Sequence, residues 1–140
     1  MKKKVCEGRI SSPFGERIHP VTKVKSFHNG VDISTPIGTP VFTPVNAFVV
    51  QVYNHEAGGK TIILKDIQNG DRYGFCHLAE QLVKVGEIIS KGTLIAKSGN
   101  TGRSTGPHLH FSYATGGKWV IGNCTGFTYK NPVSKIEFQL

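Results

Sequence analysis

The stretch Thr61-Ile62-Ile63-Leu64-Lys65-Asp66-Ile67-Gln68-Asn69-Gly70-Asp71-Arg72-Tyr73-Gly74-Phe75-Cys76-His77-Leu78 holds two apolar runs of strand length on either side of an Asn-Gly pair. Asn-Gly is the strongest short-range hairpin signal, because both residues tolerate the positive φ of a tight turn. Thr61–Asp66 and Arg72–Leu78 therefore read as antiparallel neighbours, with His77 at the far end of the hairpin. Working outward, Ala47–Tyr53, Thr93–Lys97 and His108–Tyr113 have the same β-branched and aromatic character. The segments Ser11–His19, Pro36–Pro44 and Ser98–Pro107 carry too much Gly, Pro, Ser and Thr for regular structure and read as ordered loops. The sole helix expected is a short one at Ala79–Val83, and no repeat or linker marks a second domain. The fold class is mostly β, in a single domain of antiparallel sheets.

Composition narrows the function. A chain of 140 residues has room for one core. With 38% hydrophobic residues, 19% charged residues, 17 glycines and 7 prolines, a helical bundle or coiled coil is disfavoured. No run of 18 apolar residues exists, and Met1-Lys2-Lys3-Lys4 leads into Cys6, Glu7 and Arg9, so neither a membrane span nor a secretory signal peptide is expected. The net charge of +8 favours polyanionic surroundings such as anionic cell-wall polymers. Nucleic acid is not an expected partner, since the cations after Lys4 are scattered singly with no aromatic-interleaved stripe. Three cysteines without CxxC spacing indicate neither a disulfide framework nor a thiolate zinc knot. Cys76 and His77 are adjacent, but consecutive strand residues point to opposite faces, so Cys76 reads as a buried packing residue rather than a nucleophile.

The six histidines carry the chemistry. In His28-Asn29-Gly30-Val31-Asp32, positions i and i+4 of an extended chain share a face, with Gly30 relaxing the backbone between them. In His108-Leu109-His110 the two imidazoles share a face while Leu109 and Phe111 turn to the core. Each motif has an ordinary reading: a chance spacing, a surface pair, a satisfied core histidine at position 77. Together they offer what a hydrolytic zinc needs, three N or O ligands and an open position for water. His28, Asp32 and His110 are able to supply the ligands, and with no HExxH present, His77 and His108 remain as candidates for the general base.

These motifs resemble, in order, those of the lysostaphin-like zinc endopeptidases that cleave peptidoglycan peptides. Ser12-Pro13-Phe14-Gly15-Glu16-Arg17-Ile18-His19-Pro20 is similar to the family's first signature, which runs on to its HxxxD, here His28 and Asp32. His77-Leu78 looks like the middle signature, and Ser98-Gly99-Asn100-Thr101-Gly102-Arg103-Ser104-Thr105-Gly106-Pro107-His108-Leu109-His110-Phe111 like the last. The resemblance implies the family's duplicated hybrid motif fold with a central groove. It also implies one Zn2+ on His28, Asp32 and His110, and His77 and His108 acting on the water or the transition state. Residues 8–136 would form the zinc peptidase domain, after a basic lead at 1–7 and before a tail at 137–140. His19 would be structural or at the groove rim, and His55 a surface residue. Two departures stand out. Phe75 replaces a customary tyrosine and is expected on the face of His77, while Ser112 replaces a frequent acidic residue, so that His110 is expected to find a different supporting partner.

The substrate implied is peptidoglycan. Because the wall lies outside the cytoplasm, the expected setting is a virion or phage tail, with phage tail proteins as partners, or release to the wall at lysis; the alternative is that the sequence is a domain of a larger exported protein. Two other readings are a non-catalytic cell-wall binder or activator of another hydrolase, and a lipoyl-like carrier built on Val85–Ala96 with Lys91 as its modified residue.

Overall fold

The computed structural model describes residues 3–18, 22–120, 123–132 and 138–139. The Asn-Gly hairpin forms as expected: strands Gly59–Asp66 and Arg72–Gln81 pair antiparallel, with Lys65 opposite Arg72. In chain order, β1 is Lys3–Lys4, β2 Arg9–Ser12, β3 Gly15–Ile18, β4 Lys25–His28, β5 Gly30–Ser34, β6 Pro40–Phe42 and β7 Ala47–His55. The hairpin strands are β8 and β9, followed by β10 at Ile88–Ile89, β11 at Leu94–Ser98 and β12 at His108–Thr115. Short strands complete the chain: β13 at Lys118–Val120, β14 at Asn123–Thr125, β15 at Thr128–Lys130 and β16 at Phe138–Gln139.

The principal sheet has ten strands, with the central order β10-β7-β8-β9-β12-β5-β2. All its pairings are antiparallel. β9 serves two partners along one edge: Arg72–Cys76 pairs with β12, and Leu78–Gln81 pairs with β11. His77 lies at the changeover with φ of 63°, a left-handed conformation uncommon outside glycine. On β9's other edge the register to β8 shifts at the same level, so this is a bulge. The expected helix at Ala79–Val83 is absent, because Glu80 and Gln81 are held in the ladder opposite Lys97 and Ala96. Part of Ser11–His19 is likewise strand rather than loop, since β3 pairs with β4 and β2 with β5. In both places, pairing with a distant strand overrides local composition.

Alternation along β12 puts Leu109 and Phe111, fully buried, on the core face and His108 and His110 on the other. Phe111 stacks on Tyr73 at 6.0 Å and meets Phe75 at 5.1 Å, in a core that includes Val31, Ile33, Ile62, Leu64 and Ile95. Burying each such side chain contributes about 1.5–3 kcal/mol. Val5 and Cys6, which the sequence reading left in the N-terminal lead, also belong to this core, and burial pushes the Cys6 thiol up to about 11. Further out, β1 and β16 pair in parallel, with Lys3 opposite Phe138.

Gly30 owes its identity to close approach rather than to backbone freedom. A Cβ there would lie 2.4 Å from the Phe111 carbonyl oxygen and 3.1 Å from the His110 ring. Gly30→Ala is expected to destabilise the protein by about 1–3 kcal/mol, checked by urea unfolding; an unchanged midpoint would show that β5 and β12 have slack at this position.

Candidate metal centre and active site

The ladder between β5 and β12 sets Asp32 directly opposite His110 and His108 opposite Ser34. His28 ends β4 in the small β3–β4 sheet, and Asn29 alone separates it from β5. His28 and Asp32 therefore meet across a break between two strands, not along one continuous face. His110 Nδ1 lies 2.9 Å from Asp32 Oδ1, and His28 Nε2 lies 3.3 Å from the same oxygen. These three atoms all fall within 4.8 Å of one another.

The other nitrogen of each ring is committed elsewhere. His28 Nδ1–H donates to the Pro13 carbonyl at 2.8 Å, and His110 Nε2–H donates to Asn29 Oδ1 at 3.0 Å. The acceptors fix the tautomers, so bare lone pairs on His28 Nε2 and His110 Nδ1 face the Asp32 carboxylate. Three electron-rich atoms converging in this way repel one another unless a cation lies among them. The set is two imidazoles and one carboxylate with no thiolate, a donor combination that fits zinc with a position left for water.

His77 and His108 are tied by the same device. His77 Nδ1–H donates to the Thr101 carbonyl at 2.7 Å, and His108 Nδ1–H to the Gly106 carbonyl at 2.8 Å. Their ring centres are 4.7 Å apart, and His108 Nε2 lies 3.7 Å from Asp32 Oδ1. All five residues line one open cavity of about 540 Å³, together with Ala57, Gly58, Cys76, Arg103, Ser104 and Thr105. Burial pushes the Asp32 carboxyl up, but a proton on His110 Nδ1 or His28 Nε2, standing where a cation would, outweighs burial and holds the carboxyl well below the usual range. Burial pushes the His77 imidazole below the ordinary histidine value, aided by His108 and His110 and opposed by the Thr101 carbonyl.

Two expectations about β9 need correcting, and the bulge explains both. Phe75 does not share the His77 face; it is fully buried against Phe111, so its missing hydroxyl lies in the core. Cys76, opposite His110, is half-buried in the cavity wall beside His77 instead of packed away from it. Burial pushes its thiol pKa up, opposite to what a cysteine nucleophile needs. His55 is exposed and accepts from the Ala57 amide within its turn; His19 lies outside the described residues.

Asn29 and Thr101 were not singled out from the sequence. Asn29 supports His110, the role for which the sequence pointed only to position 112; the signal available was its place inside the His28–Asp32 motif. Thr101 holds His77 by its carbonyl, accepts from the Lys60 amide at 3.1 Å and donates its hydroxyl to the Leu78 carbonyl at 2.6 Å. Beside it Gly102, at φ of 77°, packs so tightly that a Cβ would lie 2.3 Å from the Gly59 nitrogen.

Residues 26–121 match the model of peptidase family M23. The chain is 47% identical over 132 residues to the peptidoglycan DD-endopeptidase ShyA of Vibrio cholerae, covering 92% of this chain and 30% of that protein. The chain belongs to peptidase family M23. Among solved structures, this M23 chain resembles a zinc-containing peptidase from Vibrio cholerae, with a TM-score of 0.72 at 38% identity over 80% of this chain and 34% of that one. It also resembles the catalytic domain of lysostaphin from Staphylococcus simulans, with a TM-score of 0.74 at 28% identity over 90% of each. The antiparallel architecture is thus that of an M23 catalytic domain, and zinc is the metal that both the family and the donor set indicate.

Two variants separate support from ligation in this M23 chain. Asn29→Ala should weaken zinc affinity by about 10–100-fold, with Asn29→Asp restoring it, as measured by chelator competition; unchanged affinity would mean that His110 needs no such partner. At position 77 the left-handed backbone should reverse the usual strand preference. His77→Gly is expected to be more stable than His77→Ala by about 1 kcal/mol, as read from thermal unfolding.

Proposed function

We propose that this M23 chain is a zinc-dependent endopeptidase hydrolysing peptide bonds in peptidoglycan cross-links or stem peptides. The observation that carries the proposal is the convergence of His28 Nε2, Asp32 Oδ1 and His110 Nδ1 in an open cavity that also holds two further imidazoles with fixed tautomers. His28, Asp32 and His110 are the proposed ligands. Bound there, zinc supplies Lewis-acid chemistry, polarising a scissile carbonyl and easing deprotonation of the attacking water.

The remaining work falls to His77 and His108. Each has its Nδ1–H tied to a backbone carbonyl, which leaves Nε2 for the reacting groups. His77, held neutral by its burial, suits the base that accepts the water proton. His108, whose Nε2 lies 3.7 Å from Asp32 Oδ1, is the second ring at the site and, when it carries a proton on Nε2, suits donation to the developing oxyanion. A cross-link of the DD type is supported by the similarity to the DD-endopeptidase ShyA, and the net charge of +8 suits a matrix containing anionic polymers. Delivery by a virion or phage tail, or release at lysis, stays part of the proposal. Detection of the chain in purified particles supports that setting, and its recovery only within a longer exported bacterial protein overturns it.

The deciding experiment incubates purified sacculi of several wall types with zinc-loaded protein and identifies released fragments by mass spectrometry, with metal content measured in parallel. New peptide ends are expected from the parent alone. Asp32→Ala and His110→Ala should lose zinc and all release. His77→Ala and His108→Ala should keep zinc and lose about 10²–10⁴-fold in turnover. A zinc-replete parent that releases nothing from any wall would favour a non-catalytic binder or activator.

A further inference from the structure

The cavity that holds the histidines has one permanently charged cation among its lining residues, Arg103. Its backbone is fixed: the Arg103 amide donates to the Ala57 carbonyl at 2.8 Å, and the preceding Gly102 is wedged against Gly59. Its side chain is the opposite, 75% exposed, with an ion pair at 3.7 Å to Glu56, itself 88% exposed. An exposed pair at that separation is readily exchanged, because water screens it and both side chains keep their freedom. Ala57 and Gly58, which line the cavity beside it, present almost no side chain to block the guanidinium from swinging inward. A rigid root carrying a mobile planar fork is a fitting device for capturing a carboxylate, which a guanidinium binds with two parallel hydrogen bonds.

We propose that Arg103 is a specificity residue that exchanges Glu56 for a free carboxylate on the substrate residue flanking the scissile bond. The chain would therefore select anionic stem-peptide links over uncharged oligoglycine bridges. The inference rests on the peptidase reading above and adds the substrate class to it. Glu56 acts as a weak competing anion that a substrate carboxylate displaces.

The test uses the zinc-loaded chain and two matched cross-linked stem peptides, identical except that the carboxyl group beside the scissile bond is free in one and a carboxamide in the other. The parent should favour the free acid by about tenfold or more in kcat/KM, chiefly through KM. Arg103→Gln should erase that preference, Arg103→Lys should keep part of it, and Glu56→Gln should lower KM for the acid. Equal cleavage of acid and amide by the parent, or a preference untouched in Arg103→Gln, would overturn the inference and leave the peptidase reading standing. Failure of the zinc-replete parent to cut either peptide or any sacculus would remove both.

Discussion

Asp32 on β5 lies directly across the ladder from His110 on β12, and the rest of the cavity depends on that register. A slip of one residue would turn His110 into the core and bring Leu109 or Phe111 out to the surface. The apolar alternation of β12 therefore supports the polar geometry: burying Leu109, Phe111 and Val31 keeps His110 on the same face as the Asp32 carboxylate, and the observed register sets the two opposite each other. Gly30 permits the approach, since any side chain there would push β12 away.

A second constraint acts on the rings themselves. Each of His28, His77, His108 and His110 gives one N–H to an oxygen held by the fold, three of them backbone carbonyls and the fourth Asn29 Oδ1. Backbone acceptors are insensitive to side-chain replacement, so tautomers set this way depend on loop conformation rather than on loop sequence. That gives the ordered loops around Pro13, Thr101 and Gly106 a chemical purpose. They pre-orient lone pairs, which spares the site reorganisation when a cation or substrate arrives.

Much of this was readable in the residues. The Asn69-Gly70 pair locates the central hairpin, and period-two alternation in His108–Phe111 separates the core face from the site face. The bulge at His77 was not readable. A left-handed histidine leaves no mark in composition, and strict alternation then placed Phe75 and Cys76 on the wrong faces. The strands within Ser11–His19 and beyond Leu78 were hidden for a related reason, since their pairing partners lie far along the chain. Asn29 escaped notice because support for a ligand comes from spatial neighbours, and sequence spacing pointed only to Ser112.

The parallel pairing of Lys3–Lys4 with Phe138–Gln139 brings segments far apart in the sequence side by side. The same holds in the principal sheet, where Asp32 meets His110 across β5 and β12. The order in which the motifs are written along the chain is then a property of its connectivity, while the chemistry belongs to the ladders that bring them together.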